Sequence, residues 1–222
     1  MDWKKLTTVN KRTLKHIVVE GPIGVGKTAL AKRLASTFNT DLLLENALDN
    51  PFLEKFYEDP KNGALPAQLH FLFQRLQLME SLRQSDMFKP AQVVDFLIQK
   101  DRVFAEVTLS DSEFELYNQV YQRLILDPPV PDLVIYLQAS VEVLLERIAE
   151  RGITYEKLID ERYLGKVADA YIRFFYHYND SPILIVNTTE LRLHESETDY
   201  EYLLNYINNL TPGKHYLNPQ SL

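Results

Sequence analysis

Residues Gly21-Pro22-Ile23-Gly24-Val25-Gly26-Lys27-Thr28 follow the apolar run Ile17-Val18-Val19 and precede Ala29-Leu30-Ala31-Lys32-Arg33-Leu34-Ala35, whose apolar positions recur at helical spacing. A short apolar run, a glycine-rich loop closing on Gly-Lys-Thr and then a helix constrain the fold more than anything else in the chain. The backbone of such a loop must curl until several N–H groups point at one anion, and the following helix adds the partial positive charge of its N-terminus. We read Gly21, Pro22, Ile23, Gly24, Val25 and Gly26 as a cradle for a triphosphate. Lys27 would reach the β- and γ-phosphates, and Thr28 would offer its hydroxyl to Mg²⁺. The plainer alternative is a glycine-rich turn ahead of an ordinary helix; the complete pattern in its setting favours a nucleoside triphosphate site.

Five short runs rich in Val, Ile or Leu read as buried parallel strands: His16–Glu20, Asp41–Leu44, Ala91–Asp95, Leu133–Leu137 and Ile183–Val186. Consecutive apolar positions are expected where both faces of a sheet are covered. Helical stretches lie between them, at Ala67–Arg83, Asp111–Leu126, Val141–Glu150 and Leu164–Tyr178. The alternation predicts a doubly wound α/β domain with a five-stranded parallel sheet, helices on both faces and ligands at the carboxyl ends of the strands. No linker or repeat divides residues 1–222, which read as one domain; Pro128-Pro129-Val130-Pro131 is a rigid entry to the fourth strand. The tail from Thr211 to Leu222 shows no periodicity and is expected to pack loosely or extend along a partner.

With 222 residues and 45% hydrophobic content, the chain can bury one full core. It has no cysteine, and its five histidines, at 16, 70, 177, 194 and 215, show no ligand spacing, which argues against disulfides, thiolate metal sites and a histidine-rich metal site. A formal charge of −7 disfavours nucleic acid as a partner. No apolar run reaches the ~20 residues of a membrane span. The first fifteen residues are polar and basic and leave no room for the apolar core of a signal peptide. The expected compartment is the cytoplasm.

Two strand-end acids supply the remaining parts of a phosphate site. Asp95 follows Val93-Val94, an ending that places a carboxylate beside Mg²⁺ in phosphate-loop enzymes; the alternative is an Asp capping a turn. Glu45 follows Leu42-Leu43-Leu44 with no arginine beside it, which suits a neutral hydroxyl acceptor that must lose a proton, although a solvated strand-end acid fits these residues equally. Gln68 and Arg75 are seven apart and flank Phe71 and Leu72 on one helix face, so they could hold a planar heteroaromatic ring by its polar edge. Taken alone, these residues fit better a core-facing helix whose polar ends snorkel to water. Arg147 and Arg151 share a helix face ahead of Gly152, with a second helix expected near Tyr155-Glu156. They read either as a hinged lid over the triphosphate, spanning about 147–160, or as a solvated face paired with Glu146 and Glu150.

Laid out in this order, from about His16 to Val186, the chain resembles the deoxynucleoside kinases, the group containing deoxycytidine, deoxyguanosine and bacterial deoxyadenosine kinases. The resemblance implies that Glu45 is the general base on the substrate 5′-hydroxyl. It implies that Tyr57, in Tyr57-Glu58-Asp59-Pro60, contacts the 3′-hydroxyl and that Gln68 reads the base. Arg75 follows seven residues later, with Asp101 of Asp101-Arg102 as its partner. Arg147, Arg151 and Glu156 would be the lid arginines and the acid near the 3′-hydroxyl, and Phe104 a ring-stacking residue in a stretch that reads as one residue shorter than in relatives. These matches reverse the plain reading of the Gln68/Arg75 helix. Asp95 would be a ligand of Mg²⁺ or an acid behind it; an alternative makes Asp95 the base and Glu45 a substrate contact.

The chain departs from the family pattern at Asp95-Phe96-Leu97, where relatives usually read Asp/Glu-Arg-Ser. That arginine helps hold the catalytic carboxylate and the phosphoryl region, and Arg102 or a lid arginine is expected to replace it. The resemblance implies ATP-dependent phosphorylation of a deoxynucleoside, deoxyadenosine or deoxyguanosine before deoxycytidine, by a homodimer. The competing expectations are a thymidylate-like monophosphate kinase and a non-catalytic nucleotide-binding regulator, the latter motivated by Phe96.

Overall fold

The computed structural model describes residues 8–9, 12–85, 91–125 and 128–218. Two short strands, β1 (Thr8–Val9) and β2 (Arg12–Thr13), pair antiparallel. The rest is built on one parallel sheet of β3 (His16–Glu20), β4 (Asp41–Leu43), β5 (Gln92–Val94), β6 (Leu133–Gln138), β7 (Ile183–Asn187) and β8 (Lys214–Leu217), in the order β4-β5-β3-β6-β7-β8. The five predicted strands are present, but β4 lies exposed at the sheet edge rather than buried on both faces, and the expected count of five is corrected to six. The segment Lys214-His215-Tyr216-Leu217 pairs with β7 in register from Ile183↔Lys214 to Val186↔Leu217, so the tail packs as an edge strand rather than loosely. Only Leu217 of this strand is buried, which is why no apolar run announces it. Leu126 and the last four residues lie outside the described residues.

Alternation along each strand sorts side chains to two cores. Ile17, Val19, Ile135, Leu137, Leu184 and Val186 face α1 (Lys27–Phe38), α6 (Val141–Arg151) and α8 (Glu197–Asn208). Val18, Val94, Val134, Tyr136, Ile183 and Ile185 face α4 (Lys100–Thr108) and α7 (Glu161–His177). Helix α2 (Leu53–Glu58) leads into α3 (Pro60–Ser85), and α5 (Asp111–Leu124) packs against α3 and α4. Helix α3 starts earlier than periodicity predicts because Pro60 occupies its first position, where a missing N–H costs nothing. No helix among the described residues is long and apolar enough to cross a membrane.

The chain leaves β3 for one side of the sheet and later crosses to the other, so the strand order reverses at β3. A crevice outside the carboxyl ends opens at such a reversal. The phosphate loop, Glu45 and Asp95 follow the carboxyl ends of β3, β4 and β5, and all three meet there.

Candidate active site

The loop between β3 and α1 depends on glycine where it approaches its neighbours. Gly24 has φ 81°, and a Cβ there would lie 2.7 Å from the Leu144 carbonyl oxygen and 2.8 Å from Ile148 Cγ1 of α6. At Gly21 a Cβ would lie 2.3 Å from the Leu137 carbonyl oxygen. Helix α1 opens at Lys27, directly after Gly26. The Lys27 ammonium donates to the carbonyls of Gly21 (2.8 Å) and Pro22 (2.9 Å). Burial, and then the neighbouring Lys100 charge, lower its pKa to about 8.

Thr28 and Asp95, both expected near Mg²⁺, are in direct contact. The Thr28 hydroxyl donates to Asp95 Oδ2 at 2.6 Å, and Asp95 Oδ1 accepts the Glu45 backbone N–H at 2.7 Å. A hydroxyl and a carboxylate side by side are hard oxygen donors that fit Mg²⁺, which takes one or two protein oxygens and completes its shell with phosphates and water. No cluster of three or more His, Cys, Asp or Glu capable of holding a metal occurs among the described residues, so the phosphates would supply much of the shell.

Glu45 lies between two cations. Arg75 of α3 pairs with its Oε1, and Lys100 of α4 donates to its Oε2 at 3.0 Å. Burial alone would raise the Glu45 carboxyl; Arg75 and then Lys100 outweigh it and hold the pKa near 2. Behind Arg75, Asp101 is fully buried and ion-paired with it. Burial lifts the Asp101 carboxyl to about 7 although Arg75 pulls the other way, and Glu45 adds to the rise. Arg75 is pulled upward in turn by Asp101 and Glu45, against its own desolvation.

Further out, Gln68, Phe71, Tyr57 and Phe104 line the same cleft as Lys27, Thr28, Glu45 and Arg75. The Gln68 amide donates to the Thr108 hydroxyl at 3.3 Å. Gln68 Oε1, Arg75 Nε and Asp101 Oδ2 are buried without a hydrogen-bond partner. The Arg75 guanidinium stands 5.1 Å from the centroid of the Phe71 ring. Tyr57 stacks on Tyr155 at 5.9 Å, and Phe104 meets Tyr171 edge-on at 5.8 Å.

The segment expected as a lid separates into two roles. Arg151 and Glu156 border the cleft but face each other, with contacts of 3.0 and 2.7 Å. Gly152 ends α6 at φ 72°, and Thr154–Leu158 forms a 3-10 turn where a second helix was expected. Arg147 lies outside this cleft, over the phosphate loop. It donates to Val25 O, to the Thr188 hydroxyl and carbonyl, and to Leu191 O, bracing the loop to the segment after β7. Desolvation, and then Arg192, lower its pKa.

Two residues of this centre escape the sequence reading. Glu20, the last residue of β3, is fully buried and accepts from Gly21 N (2.9 Å), Leu97 N (2.8 Å) and the Tyr171 hydroxyl (3.0 Å), tying the phosphate loop to the segment after β5. Its position at the end of a strand is the available signal. Lys100 carries no such signal. The expected stand-in at this place, Arg102, is exposed and sits over the Tyr121 ring at 5.9 Å, away from Glu45.

Residues 17–212 match the family model described as deoxynucleoside kinase. The deoxyguanosine kinase of Bacillus subtilis is 38% identical over 160 residues, 72% of this chain and 77% of that protein. The deoxyadenosine kinase of Dictyostelium discoideum is 33% identical over 192 residues, 82% and 76% of the two chains. A solved structure of deoxyadenosine kinase from M. mycoides superposes with a TM-score of 0.76 at 25% identity, covering 86% of this chain and 98% of that one.

Proposed function

The chain belongs to the deoxynucleoside kinase family, and on that premise we propose that it transfers the γ-phosphoryl group of ATP to the 5′-hydroxyl of a purine deoxynucleoside, deoxyadenosine or deoxyguanosine before deoxycytidine. The observation that carries the proposal is the Glu45–Arg75–Asp101 assembly beside the phosphate loop. It puts a charged acid on one wall of the cleft beside Gln68 and Arg75, with Asp101 buried behind Arg75. Gln68 Oε1 can accept and Arg75 Nε can donate, as a base edge with both amino and ring-nitrogen groups requires, while Asp101 holds Arg75 from behind. The purine preference draws on the relatives, a deoxyguanosine kinase and a deoxyadenosine kinase.

In the reaction, the 5′-oxygen forms a bond to the γ-phosphorus as the bond to the β,γ-bridging oxygen breaks. The electron pair of that bond leaves with ADP, and the hydroxyl proton passes to Glu45. Asp95 is assigned to the metal rather than to this proton, because its Oδ2 accepts from the Thr28 hydroxyl that would share the Mg²⁺. Lys27 would exchange its loop carbonyls for phosphate oxygens. Mg²⁺, held by Thr28 with Asp95, would neutralise phosphate charge when bound. Tyr57 and Glu156 border the cleft where a 3′-hydroxyl would lie, and Phe71 and Phe104 would pack on the base. Arg147 would act on the loop it braces, and Arg151 would serve the phosphates once released from Glu156; residues 147–160 form the lid of one 222-residue domain. A homodimer in the cytoplasm completes the reading, supported by Phe73 and Leu116 exposed on α3 and α5 and testable by light scattering.

The test is a radiolabelled-ATP assay on four deoxynucleosides and their monophosphates. Product is expected with the purine deoxynucleosides; no product from any nucleoside defeats the reading. Glu45→Gln should lower turnover by about 10²–10⁴-fold. Near-normal turnover in that variant would move the base elsewhere.

A further inference from the structure

We propose that Lys100 is a positioning residue for phosphoryl transfer: its ammonium fixes Glu45 Oε2, so that the carboxylate stays aimed at the acceptor hydroxyl in a chain whose residue 96 supplies no cation. The inference rests on Glu45 as proton acceptor.

The place of Lys100 in the fold is unfavourable for a lysine on every local count. It is the first residue of α4, where the helix dipole opposes a cation. It is only 3% exposed, so its charge is desolvated. Two carboxylates compensate, Glu45 Oε2 at 3.0 Å and Glu20 Oε1 at 3.8 Å. Glu20 Oε1, the oxygen nearer the ammonium, already accepts from the Gly21 amide and the Tyr171 hydroxyl, and the direct hydrogen bond of the ammonium goes to Glu45.

Other candidates are committed elsewhere. Phe96 is buried in the apolar layer with Tyr136 and Tyr171. Arg102 lies over Tyr121, Arg147 braces the phosphate loop, and Arg151 pairs with Glu156. Among the described residues, the cations in contact with Glu45 are Arg75 on Oε1 and Lys100 on Oε2. A carboxylate held at one oxygen can swing about that contact, whereas one held at both cannot. Each oxygen has two lone pairs, so this clamp leaves a site on each for a substrate hydroxyl.

The experiment compares Lys100→Met, Lys100→Arg and Glu45→Gln with the double variant Lys100→Met/Glu45→Gln, reading kcat, both KM values and the melting temperature. Lys100→Met should lower kcat by about 10²-fold, as expected for a misplaced reacting group, with the KM for ATP nearly unchanged. Lys100→Arg should restore most of that loss. In the Glu45→Gln background, Lys100→Met should cost little more, because residues acting through one another are not additive. Should Lys100→Met fail to fold, Lys100→Gln, which keeps a donor without the charge, replaces it in every arm. A Lys100 variant with wild-type kcat beside a slow Glu45→Gln overturns the proposal and leaves the Glu45 assignment standing. Fully additive losses, or no rescue by arginine, also overturn it. Glu45→Gln at wild-type turnover overturns the base assignment itself, and the positioning role with it.

Discussion

Removing the Arg75 guanidinium tests why a charged cluster is buried under this cleft. Arg75 is 3% exposed, and its partner Asp101 is 0% exposed. Arg75→Met keeps an unbranched stem of similar length and leaves Asp101 facing Glu45 without the charge between them. Breaking a buried pair on one side costs about 3–5 kcal/mol. The cost should depend on pH, because the Asp101 carboxyl is already lifted to about 7 with Arg75 pulling it down, and it rises further once Arg75 is gone. A carboxyl whose folded pKa exceeds its unfolded value contributes stability at low pH and loses it as pH rises through the folded value. Between pH 6 and 8 the wild type passes its folded pKa, so this group stops losing stability within that window. In the variant the carboxyl stays protonated further into that window and goes on losing stability as pH rises. The deficit of Arg75→Met should therefore be larger at pH 8 than at pH 6, by on the order of 1 kcal/mol. Urea denaturation at the two pH values, with an unchanged slope, measures it. Arg75→Met/Asp101→Leu, which removes both charges, should recover most of the stability while turnover stays low. A single-variant deficit below about 1 kcal/mol, or one equal at both pH values, refutes the reasoning from buried charge. A double variant as unstable as the single one refutes it too.

Gly24→Ala should weaken binding of a non-hydrolysable ATP analogue by tenfold or more in calorimetry, since positive φ alone costs alanine about 1–2 kcal/mol and the Leu144 carbonyl blocks the new methyl; affinity within twofold of wild type would show that the loop does not need glycine there. Lys214→Met should lower stability by about 1–3 kcal/mol with unchanged kinetics. Its ammonium joins β8 to the end of α7 through the Phe175 and Tyr176 carbonyls at 2.8 and 2.7 Å, and an unaltered melting temperature would exclude that role.

The parallel sheet is legible where strands are buried on both faces. Ile17-Val18-Val19 and Leu133–Leu137 send alternate side chains into two separate cores, so every position is apolar and the run stands out. The same physics hides β8. An edge strand needs to bury one residue only, and Lys214-His215-Tyr216-Leu217 is held by backbone pairing to β7 and by a lysine on helix carbonyls. The lid is half legible for a related reason. The four-residue spacing of Arg147 and Arg151 places them on one helix, but Arg147 turns to Thr188 and Leu191 and Arg151 to Glu156, partners set by the packing of α6 beside β7 and the following turn.

Local signals point to Thr28 and Asp95, because a glycine loop and an acid at the end of an apolar run are contiguous patterns, whereas Glu45 stands out only through the family resemblance. Lys100 has none; at the start of α4 it resembles any solvated charge. What makes it functional is the strand order. β5 lies between β4 and β3, so the segment leaving β5 passes between the acids that follow its two neighbours, Glu45 on one side and Glu20 on the other. A buried and a partly buried carboxylate on either side of one connection call for a cation from that connection or from a helix above it. Helix α3 provides Arg75, which Asp101 also engages, and the connection provides Lys100. Phe96 is compatible with this balance because the charge it does not carry enters four residues later, one turn into the interior. Lys100 meets both acids only through long-range pairing, β3 with β5 and β5 with β4, and that pairing is what a linear reading of the 91–101 segment lacks.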